Sequence, residues 1–377
     1  MSQHHRVDPK IWQACVGDSF TVPKLHSKVY YFPQGHLQHV CPNTPNTQKN
    51  HGFRPMSLCT VSAVDLFADS ETHEVFAKLL LTPVIDGSVV PLETRNEEDG
   101  DQIVSFAKTL TNADVESRDK LYVPTACANL ILPALPRLES RKQSLFLDLF
   151  LTDVCGVVWK FRHVHCKCHQ HLFTTGWSRF VDKMKLVGGD TIVFIKNSSG
   201  SISLGIRRKT RFAAAAAKIT EKEVNIAIEL AEKNAAFEAV YYPTVGGCDF
   251  VVGTKTVEDA MKVNWICGMR VTHTAKNDDT SKGCFIFNGI ISAISHPSTR
   301  PWRMLQVEWD EPYVPENLKH LSPWQVEIID CNTAIPDIQF PPTKKLRGAQ
   351  RSIMLFGQRI QPIESDLNDS DINGDDG

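Results

Sequence analysis

The stretch that decides the fold, residues 159–181, reads WKFRHVHCKCHQHLFTTGWSRFV. Four histidines and two cysteines fall within residues 162–171, so a metal site is the first hypothesis to weigh. Structural zinc sites usually combine a close pair of ligands with a second, distant pair. In an extended segment alternate side chains share a face, so the histidines would lie on one face together with Lys167 and the cysteines on the other. The pattern therefore predicts no metal site, and no other cofactor is indicated.

The charge around this stretch is unevenly distributed along the chain. Residues 103–209 carry 16 Lys or Arg against 8 Asp or Glu, whereas the rest of the 377-residue chain carries 25 against 35. A basic segment within an acidic chain attracts polyanions, of which nucleic acid is the commonest. An ordinary solvated surface has the same composition, so charge alone leaves both interpretations open.

Several classes of function have no support in the sequence. It contains no glycine-rich phosphate loop, no nucleophile elbow and no carboxylate pair at a catalytic spacing. We therefore predict neither an enzyme nor a small-molecule substrate. The N-terminus lacks a secretory apolar segment, and no run reaches the roughly 20 apolar residues that span a bilayer. Because the eleven cysteines are typical of reduced thiols, a soluble intracellular protein without a membrane partner is expected.

Short strands bounded by turns are the dominant pattern and predict a mainly β chain. DTIVFIKNSSGSISLGIRR, residues 190–208, is one such pair of strands around a hairpin turn. One helix interrupts the pattern, because Thr220 and Glu223 form a capping box. The apolar positions that follow it at helical spacing are Val224, Ala227, Ile228, Ala231 and Ala235. This stripe packs either on the sheet of its own domain or on a partner subunit.

Three further segments complete the picture. LFLDLFL, residues 145–151, alternates its leucines as co-repressor-recruiting motifs do, but a core strand shows the same alternation and is the interpretation we favour. Lys344, Lys345 and Arg347 form either a nuclear import patch or an ordinary basic cluster in a linker. The acidic tail, residues 365–377, is almost free of apolar residues, which predicts disorder.

The flanks of the histidine-rich stretch resemble a known domain. In order and spacing, WKFRH (159–163), HLFTTGWSRFV (171–181), LVGGDTIVF (186–194) and LGIRR (204–208) are similar to the plant B3 DNA-binding domain of auxin response factors. DPKIWQACVG near the N-terminus and WRMLQVEWDEPYVPENLKHLSPWQVEII near the C-terminus resemble that family's dimerisation segment and ancillary barrel. The motifs VYYP, WDEP and PPTKKLR are most similar to those of the repressor-type branch, sometimes called class C. The chain thus resembles a divergent and truncated auxin response factor.

The resemblance implies a mainly β, multidomain α+β fold. An open, seven-stranded B3 pseudobarrel would be inserted into a split, β-rich dimerisation domain, and a small Tudor-like β-barrel would follow. The implied ranges are 1–102 and 210–275 for the two parts of the dimerisation domain, 103–209 for the B3 domain, 276–333 for the ancillary domain and 334–377 for a disordered tail. The helix that begins after Thr220 would then lie in the segment that makes the dimer, and the five residues of its apolar stripe are the implied dimerisation residues.

The resemblance also implies which residues contact DNA, and here the sequence departs from the family. After KTLT (108–111), the family's first contact loop has a histidine and two glycines, and this chain has Arg118, Asp119 and Lys120 instead. The second contact loop, residues 166–171, is one residue shorter and lacks both arginines and the proline. A lost bidentate arginine–guanine contact costs about 1 to 3 kcal/mol of discrimination. The implied DNA-contacting residues are Lys108, Arg118, Lys120, Lys160, Arg162, Lys167, His169, His171, Thr175 and Ser178.

Two hypotheses of function follow. The first is a nuclear transcription factor that binds auxin-response elements in double-stranded DNA through the B3 domain, as a homodimer or as a heterodimer with related factors, and represses by occupying them. The second is a heterodimerising regulator whose specific DNA binding is weakened or lost. The family's long regulatory region and ubiquitin-like domain have no counterpart after residue 333, so direct auxin control through that domain is not expected.

Overall fold

The structure is a computed structural model that describes thirteen segments of the chain. They are residues 4–17, 21–40, 52–85, 102–117, 119–135, 145–166, 170–208, 219–242, 250–276, 279–295, 301–329, 353–355 and 358–360. The chain divides into two compact units, residues 1–330 and 331–377. The predicted import patch at Lys344, Lys345 and Arg347 and the acidic tail, residues 365–377, lie outside the described residues. Within the predicted disordered tail, residues 334–377, the short segments Ile353–Leu355 and Gln358–Ile360 pair as antiparallel strands, so the prediction of disorder needs correction there.

Short strands predominate among the described residues, as the sequence predicts. The strands are β1 His5–Arg6, β2 Lys28–Tyr31, β3 Ser57–Ala68, β4 Val75–Pro83, β5 Val104–Thr109, β6 Leu121–Val123, β7 Leu145–Asp153, β8 Val158–His165, β9 His171–Phe173, β10 Thr191–Lys196, β11 Ile202–Arg207, β12 Phe237–Tyr241, β13 Val251–Gly253, β14 Arg270–Lys276, β15 Cys284–Ile294, β16 Leu305–Trp309, β17 His320–Leu321, β18 Glu327–Ile328, β19 Ile353–Leu355 and β20 Gln358–Ile360. The helices are α1 Pro9–Val16, α2 Pro33–Val40, α3 Asn112–Glu116, α4 Thr125–Ile131, α5 Trp177–Met184, α6 Glu221–Glu232 and α7 Thr254–Met261, with 3-10 turns at Thr280–Lys282, Glu316–Leu318 and Pro323–Gln325. Within the described segments, no helix has both the length and the apolar character needed to cross a membrane.

The first sheet draws its strands from two distant parts of the chain. Its order is β12-β4-β3-β2-β13, and β1 pairs with β3. The pairing of Phe237 with Leu81 joins a strand that follows the basic segment to one that precedes it. Trp12, Tyr31 and Phe76 are almost fully buried beneath this sheet. Everything between these parts is therefore an insertion, in agreement with the split arrangement that the resemblance implies.

The second sheet is the inserted part, with seven strands in the order β5-β10-β11-β7-β8-β9-β6. All of its pairings are antiparallel except β11 with β7. The LFLDLFL strand, β7, buries Leu149 and Leu151 in the core, whereas Phe146 and Phe150 are 57% and 65% exposed. This alternation confirms the core-strand interpretation, and the sheet topology confirms the prediction of a mainly β chain with a seven-stranded sheet.

The third sheet has five strands in the order β17-β16-β15-β14-β18. Its strand β14, Arg270–Lys276, pairs with both β15 and β18. The sequence analysis placed this strand in the segment 210–275, so the predicted boundary at 275/276 cuts through a sheet and needs correction. A boundary inside a hydrogen-bonded strand cannot separate two domains, because every backbone donor in it needs its partner.

Helix α6 begins at the predicted capping box, with the Thr220 side chain accepting from the Glu223 backbone N–H at 3.2 Å. The helix packs against α2 and β12 of its own chain. The dimerisation residues predicted on its apolar stripe need correction, because this packing uses the stripe. Val224, Ala227, Ile228 and Ala231 are buried in the core of the first sheet, and Ala235 is half-buried. The exposed apolar residue of this helix is Ile226.

Candidate nucleic-acid interface

Strands β6 and β9 form one edge of the seven-stranded sheet and carry both contact loops. They are antiparallel, with Leu121 opposite Phe173 and Val123 opposite His171. The first contact loop, which ends at Lys120, therefore lies beside the segment that leads into α5. The hairpin between β8 and β9 leaves from the other end of the same strand pair. Three residues of a strand span about 10 Å, so the two strand ends at which the loops begin lie within the width of about 12 Å of a DNA major groove.

Lys108 forms a buried ion pair with Asp114 in α3, just before the first contact loop. Its Nζ lies 2.8 Å from Oδ2 of Asp114, and both side chains are more than nine-tenths buried. The Asp114 carboxylate also accepts from the backbone N–H and hydroxyl of Thr111, which caps α3. Burial opposes the ionisation of Asp114, but the bonds from Lys108 and Thr111 outweigh it and lower its pKa. The predicted direct DNA contact by Lys108 needs correction, because its charge is buried and already paired.

The start of α5 is held against the neighbouring strand. The Arg162 N–H donates to the Thr175 carbonyl at 3.0 Å, and the Trp177 indole N–H donates to the Asp114 carbonyl at 2.8 Å. Gly176 caps the helix at φ +96°, and a Cβ there would collide with the carbonyl oxygen of Lys160. Thr175 and Ser178 are consequently exposed at a helix N-terminus. Such a terminus presents free backbone N–H groups, which attract phosphate.

Three histidines stack in the stem of the hairpin. His163 Nε2 lies 2.9 Å from His171 Nδ1, and the His165 and His171 rings stack with centroids 4.5 Å apart. Burial, then the neighbouring imidazoles, lower the pKa of His163 to about 4. The pKa of His171 is lowered by burial and then by His165. Both are therefore neutral near pH 7, and His171 offers DNA a hydrogen-bonding group instead of a charge. Because residues 167–169 lie outside the described residues, the absence of a metal at this hairpin stays a prediction.

A carboxylate that the sequence analysis missed forms ion pairs with two of the predicted DNA-contacting residues. On the outer face of β7 and β8, Asp148 lies 2.8 Å from Lys160 Nζ and 2.9 Å from Arg162 Nε. Hydrogen bonds from Arg162 and Lys160 lower the pKa of Asp148 to about 2, so it is ionised at any cellular pH. Phe146 and Phe150 lie under the two cations, with ring centroids 4.8 and 5.8 Å from Arg162 Cζ and Lys160 Nζ. The strict alternation of residues 146–151 places Asp148 on this face, which was a usable signal.

Tyr122 is a second residue that the sequence analysis missed. It lies in the middle of β6 between the buried Leu121 and Val123, and it is 43% exposed. The Nζ of the predicted contact residue Lys120 lies 5.5 Å from its ring centroid. An exposed ring beside a cation suits stacking and phosphate contact in one place. Arg118, Lys167 and His169, the other predicted contact residues of the two loops, lie outside the described residues.

Two parts of the chain match known protein domains. Residues 106–210 match the model of the B3 DNA binding domain, and residues 250–330 match the auxin response factor ancillary domain. Auxin response factor 17 of Arabidopsis thaliana is 34% identical over 92% of this chain and 66% of its own length. The chain belongs to the auxin response factor family. Auxin response factor 16 of the same plant is 36% identical over 90% of this chain and 58% of its own length.

The chain spans about 58 to 66% of the length of these two auxin response factors. Among solved structures, the Arabidopsis FUS3–DNA complex is similar to 27% of this chain and 95% of that chain, with 25% identity and a TM-score of 0.23. In this auxin response factor family member, Lys120, His171, Thr175 and Ser178 lie along one edge of the B3 sheet. Lys160 and Arg162 lie on its outer face with Asp148, and Lys108 lies in its interior.

Proposed function

We propose that this auxin response factor acts in the nucleus as a transcription factor that binds auxin-response elements through the edge formed by β6 and β9. The proposal is carried by one observation, the antiparallel register of these two strands. It sets the first contact loop, the N-terminus of α5 and the hairpin along a track about 10 Å long. A track of this length enters a major groove with a base-contacting loop at each end.

The residues along the track divide into two roles. Thr175 and Ser178, with the free N–H groups of α5, are suited to bind a phosphate and so to set the position of the domain on the duplex. Lys120 adds a cation at the same end, against the ring of Tyr122. At the other end His171, neutral near pH 7, donates or accepts one hydrogen bond. Base recognition then falls to Arg118 and to the hairpin residues Lys167 and His169.

We further propose that the protein binds DNA as a dimer and represses by occupying paired elements. The family's named ancillary domain and the wording VYYP, WDEP and PPTKKLR support this assignment. The dimer needs a surface other than the buried stripe of α6. Because two domains on one duplex must match the spacing of two elements, spacing becomes part of specificity.

The test is a fluorescence anisotropy titration of the full chain with paired auxin-response elements and with a scrambled duplex of the same length. The expected result is at least about tenfold tighter binding to the paired elements at physiological salt. The double variant Thr175→Ala with Ser178→Ala is expected to weaken binding to both duplexes by the same factor, because phosphate contacts carry no sequence information. Ser199→Ala, in the exposed turn between β10 and β11, is the matched control and should change neither. Equal affinity for the two duplexes would reject sequence-specific binding.

The second candidate is a heterodimerising regulator with weakened specific binding, and Asp148 favours it. This carboxylate neutralises part of the charge of Lys160 and Arg162, and residues 166–171 lack both family arginines. Such a chain would act by sequestering a relative that does recognise the element. Co-purification with a full-length relative, together with loss of that relative's DNA binding, supports this candidate. A chain that stays monomeric with every relative tested rejects it.

A further inference from the structure

Three potential metal ligands meet where the first sheet touches the second. His73 lies in the turn that joins β3 to β4, Asp153 ends β7, and Cys155 lies in the turn between β7 and β8. One ligand atom from each, a histidine nitrogen, a carboxylate oxygen and a cysteine sulfur, lie within 4.8 Å of one another. His73 and Asp153 are buried, and Cys155 is half-buried. The cluster therefore joins a hairpin of the first sheet to a hairpin of the B3 sheet.

The His73 imidazole carries the strongest sign of an unused ligand. Its side chain is 9% exposed, and its Nδ1 is buried without a hydrogen-bond partner. The nearest carboxylate oxygen, Asp153 Oδ2, is 3.5 Å away, which is too far for a well-formed hydrogen bond. A buried nitrogen left unpaired costs about 1 to 3 kcal/mol. The turn also holds His73 at φ +53°, an uncommon conformation for this residue type.

Asp153 is already oriented for coordination. Its Oδ1 accepts from the backbone N–H groups of Cys155 and Val157 at 2.9 and 3.0 Å, and its Oδ2 accepts from the Trp159 indole N–H at 2.8 Å. Hydrogen bonds of this kind are what fix a carboxylate that binds a metal. Oδ2 retains lone-pair capacity beyond the indole bond, because a carboxylate has about four acceptor positions in all.

Cys155 supplies the soft donor of the cluster. Its thiol donates to the Asp69 carbonyl at 3.6 Å, a long and weak bond that a metal can replace. Burial, then Asp153 and Asp69, raise the pKa of this thiol to about 12, so it keeps its proton near pH 7 in the absence of a cation. A bound divalent ion would reverse this balance, because coordination deprotonates a thiol.

We propose that His73 Nδ1, Asp153 Oδ2 and Cys155 Sγ bind a zinc ion. Mixed nitrogen, sulfur and oxygen donors suit zinc better than magnesium or calcium. At zinc–ligand bond lengths of about 2.0 to 2.3 Å, tetrahedral ligand atoms lie about 3.5 Å apart, so side-chain rotation must close a gap of up to about 1.3 Å. On binding, Cys155 loses its S–H proton to solvent and a zinc–sulfur bond forms, with no change of oxidation state.

The ion would strengthen a junction that Arg208 already makes. Arg208 donates to the Thr72 carbonyl at 2.9 Å and to the Asp190 carboxylate at 3.1 Å, so it links the same turn of the first sheet to the B3 domain. A zinc ion beside it holds the orientation of the DNA-binding sheet relative to the first sheet. For a protein that must match two domains to two DNA elements, a fixed orientation at this point decides which spacings fit.

The test uses the full chain, freed of metal with a chelator and titrated with zinc ions in competition with a chromophoric chelator. Elemental analysis of the dialysed protein is expected to give about one equivalent of zinc. His73→Asn, which tolerates the positive φ, and Cys155→Ser should each weaken zinc binding at least about tenfold. His26→Asn and Cys267→Ser are matched controls, since His26 has φ 63° and both lie exposed outside the cluster.

Two outcomes would overturn the proposal. In the first, elemental analysis finds less than about a tenth of an equivalent of zinc. His73 and Asp153 then make only a simple contact, and the Cys155 thiol stays hydrogen-bonded to Asp69. Stoichiometric zinc that survives in both His73→Asn and Cys155→Ser assigns the ion elsewhere. If one variant fails to fold, judged by far-ultraviolet circular dichroism, the folded variant decides, because zinc binding equal to that of the parent protein rejects the site.

Discussion

His163 Nε2 and His171 Nδ1 lie 2.9 Å apart across the stem of the hairpin that joins β8 to β9. At that distance one imidazole donates and the other accepts, so the bond exists only while at least one ring is neutral. His165 stacks on the same ring of His171. The hairpin stem is therefore held by a bond between imidazoles, and this bond is lost when both rings are protonated.

We expect acid to destabilise the fold through His163. Burial lowers its pKa to about 4 from the ordinary value near 6.5, so between these values the unfolded chain binds the proton more readily than the folded one. The contribution of neutral His163 to the free energy of unfolding is fully present above about pH 6.5. It is lost as the pH falls toward 4, at up to about 1.4 kcal/mol per pH unit. Urea unfolding at about pH 7 and pH 5 measures it. His163→Phe should lose less stability over this interval than the parent, and equal losses would contradict the assignment.

Removing the charge of Lys108 should lower the free energy of unfolding. Lys108→Met leaves the buried carboxylate of Asp114 without its cation, and breaking a buried pair in this way costs about 3 to 5 kcal/mol. The double variant Lys108→Met with Asp114→Asn should regain part of that loss, because no charge then stays buried. Lys183→Ala, an exposed lysine on α5, is the control and should change the free energy of unfolding by less than about 0.5 kcal/mol. Equal unfolding midpoints for Lys108→Met and the control would show that the pair is not needed.

Alanine substitutions at Gly176 and Gly200 distinguish the cost of backbone strain from the cost of a steric collision. Both have positive φ, at 96° and 85°, but a Cβ at Gly176 would meet the Lys160 carbonyl, whereas a Cβ at Gly200 would meet nothing within 4 Å. Gly200→Ala should therefore cost only the strain, about 1 to 2 kcal/mol. Gly176→Ala should cost about 2 kcal/mol more and weaken DNA binding, because the start of α5 must move. Thermal unfolding and anisotropy of the two variants test this, and matching losses would contradict the close approach.

Removing the Asp148 carboxylate should strengthen DNA binding. Asp148→Asn frees Lys160 and Arg162 from their common partner and lets either cation reach a phosphate. The slope of log K against log salt should then steepen by about 0.9 for each phosphate newly neutralised. Asp259→Asn is the control for net charge, because Asp259 is paired with Lys262 on α7, outside the B3 sheet. If both variants raise affinity equally, overall charge and not the outer face of β8 explains the effect.

Local patterns in the sequence predicted those features that depend on near neighbours. The alternation in residues 145–151 separated the buried Leu149 and Leu151 from the exposed Phe146 and Phe150, since a strand has a period of two. The capping box at Thr220 located the start of α6 because both of its partners lie within one helical turn.

Features that depend on residues far apart in the chain needed the tertiary structure. The sequence pointed to Lys108 as a DNA contact, but the fold of the loop buries it beside Asp114. The stripe of α6 had two interpretations, and packing against α2 and β12 decided for its own chain. His73 and Asp153 are separated by 79 intervening residues, so no spacing rule brings them together.

The sequence by itself determined the mainly β character of this protein, the family to which it belongs and the loss of two arginines from its contact hairpin. These are properties of composition, period and ordered motifs, which are complete before the chain folds. The tertiary structure decided which charges are free to meet DNA. Lys108 is buried, Lys160 and Arg162 are held by Asp148, and Thr175 and Ser178 are exposed at the start of α5. The physical reason is that a charge acts through its distance to other charges and to water, and only the folded chain sets those distances.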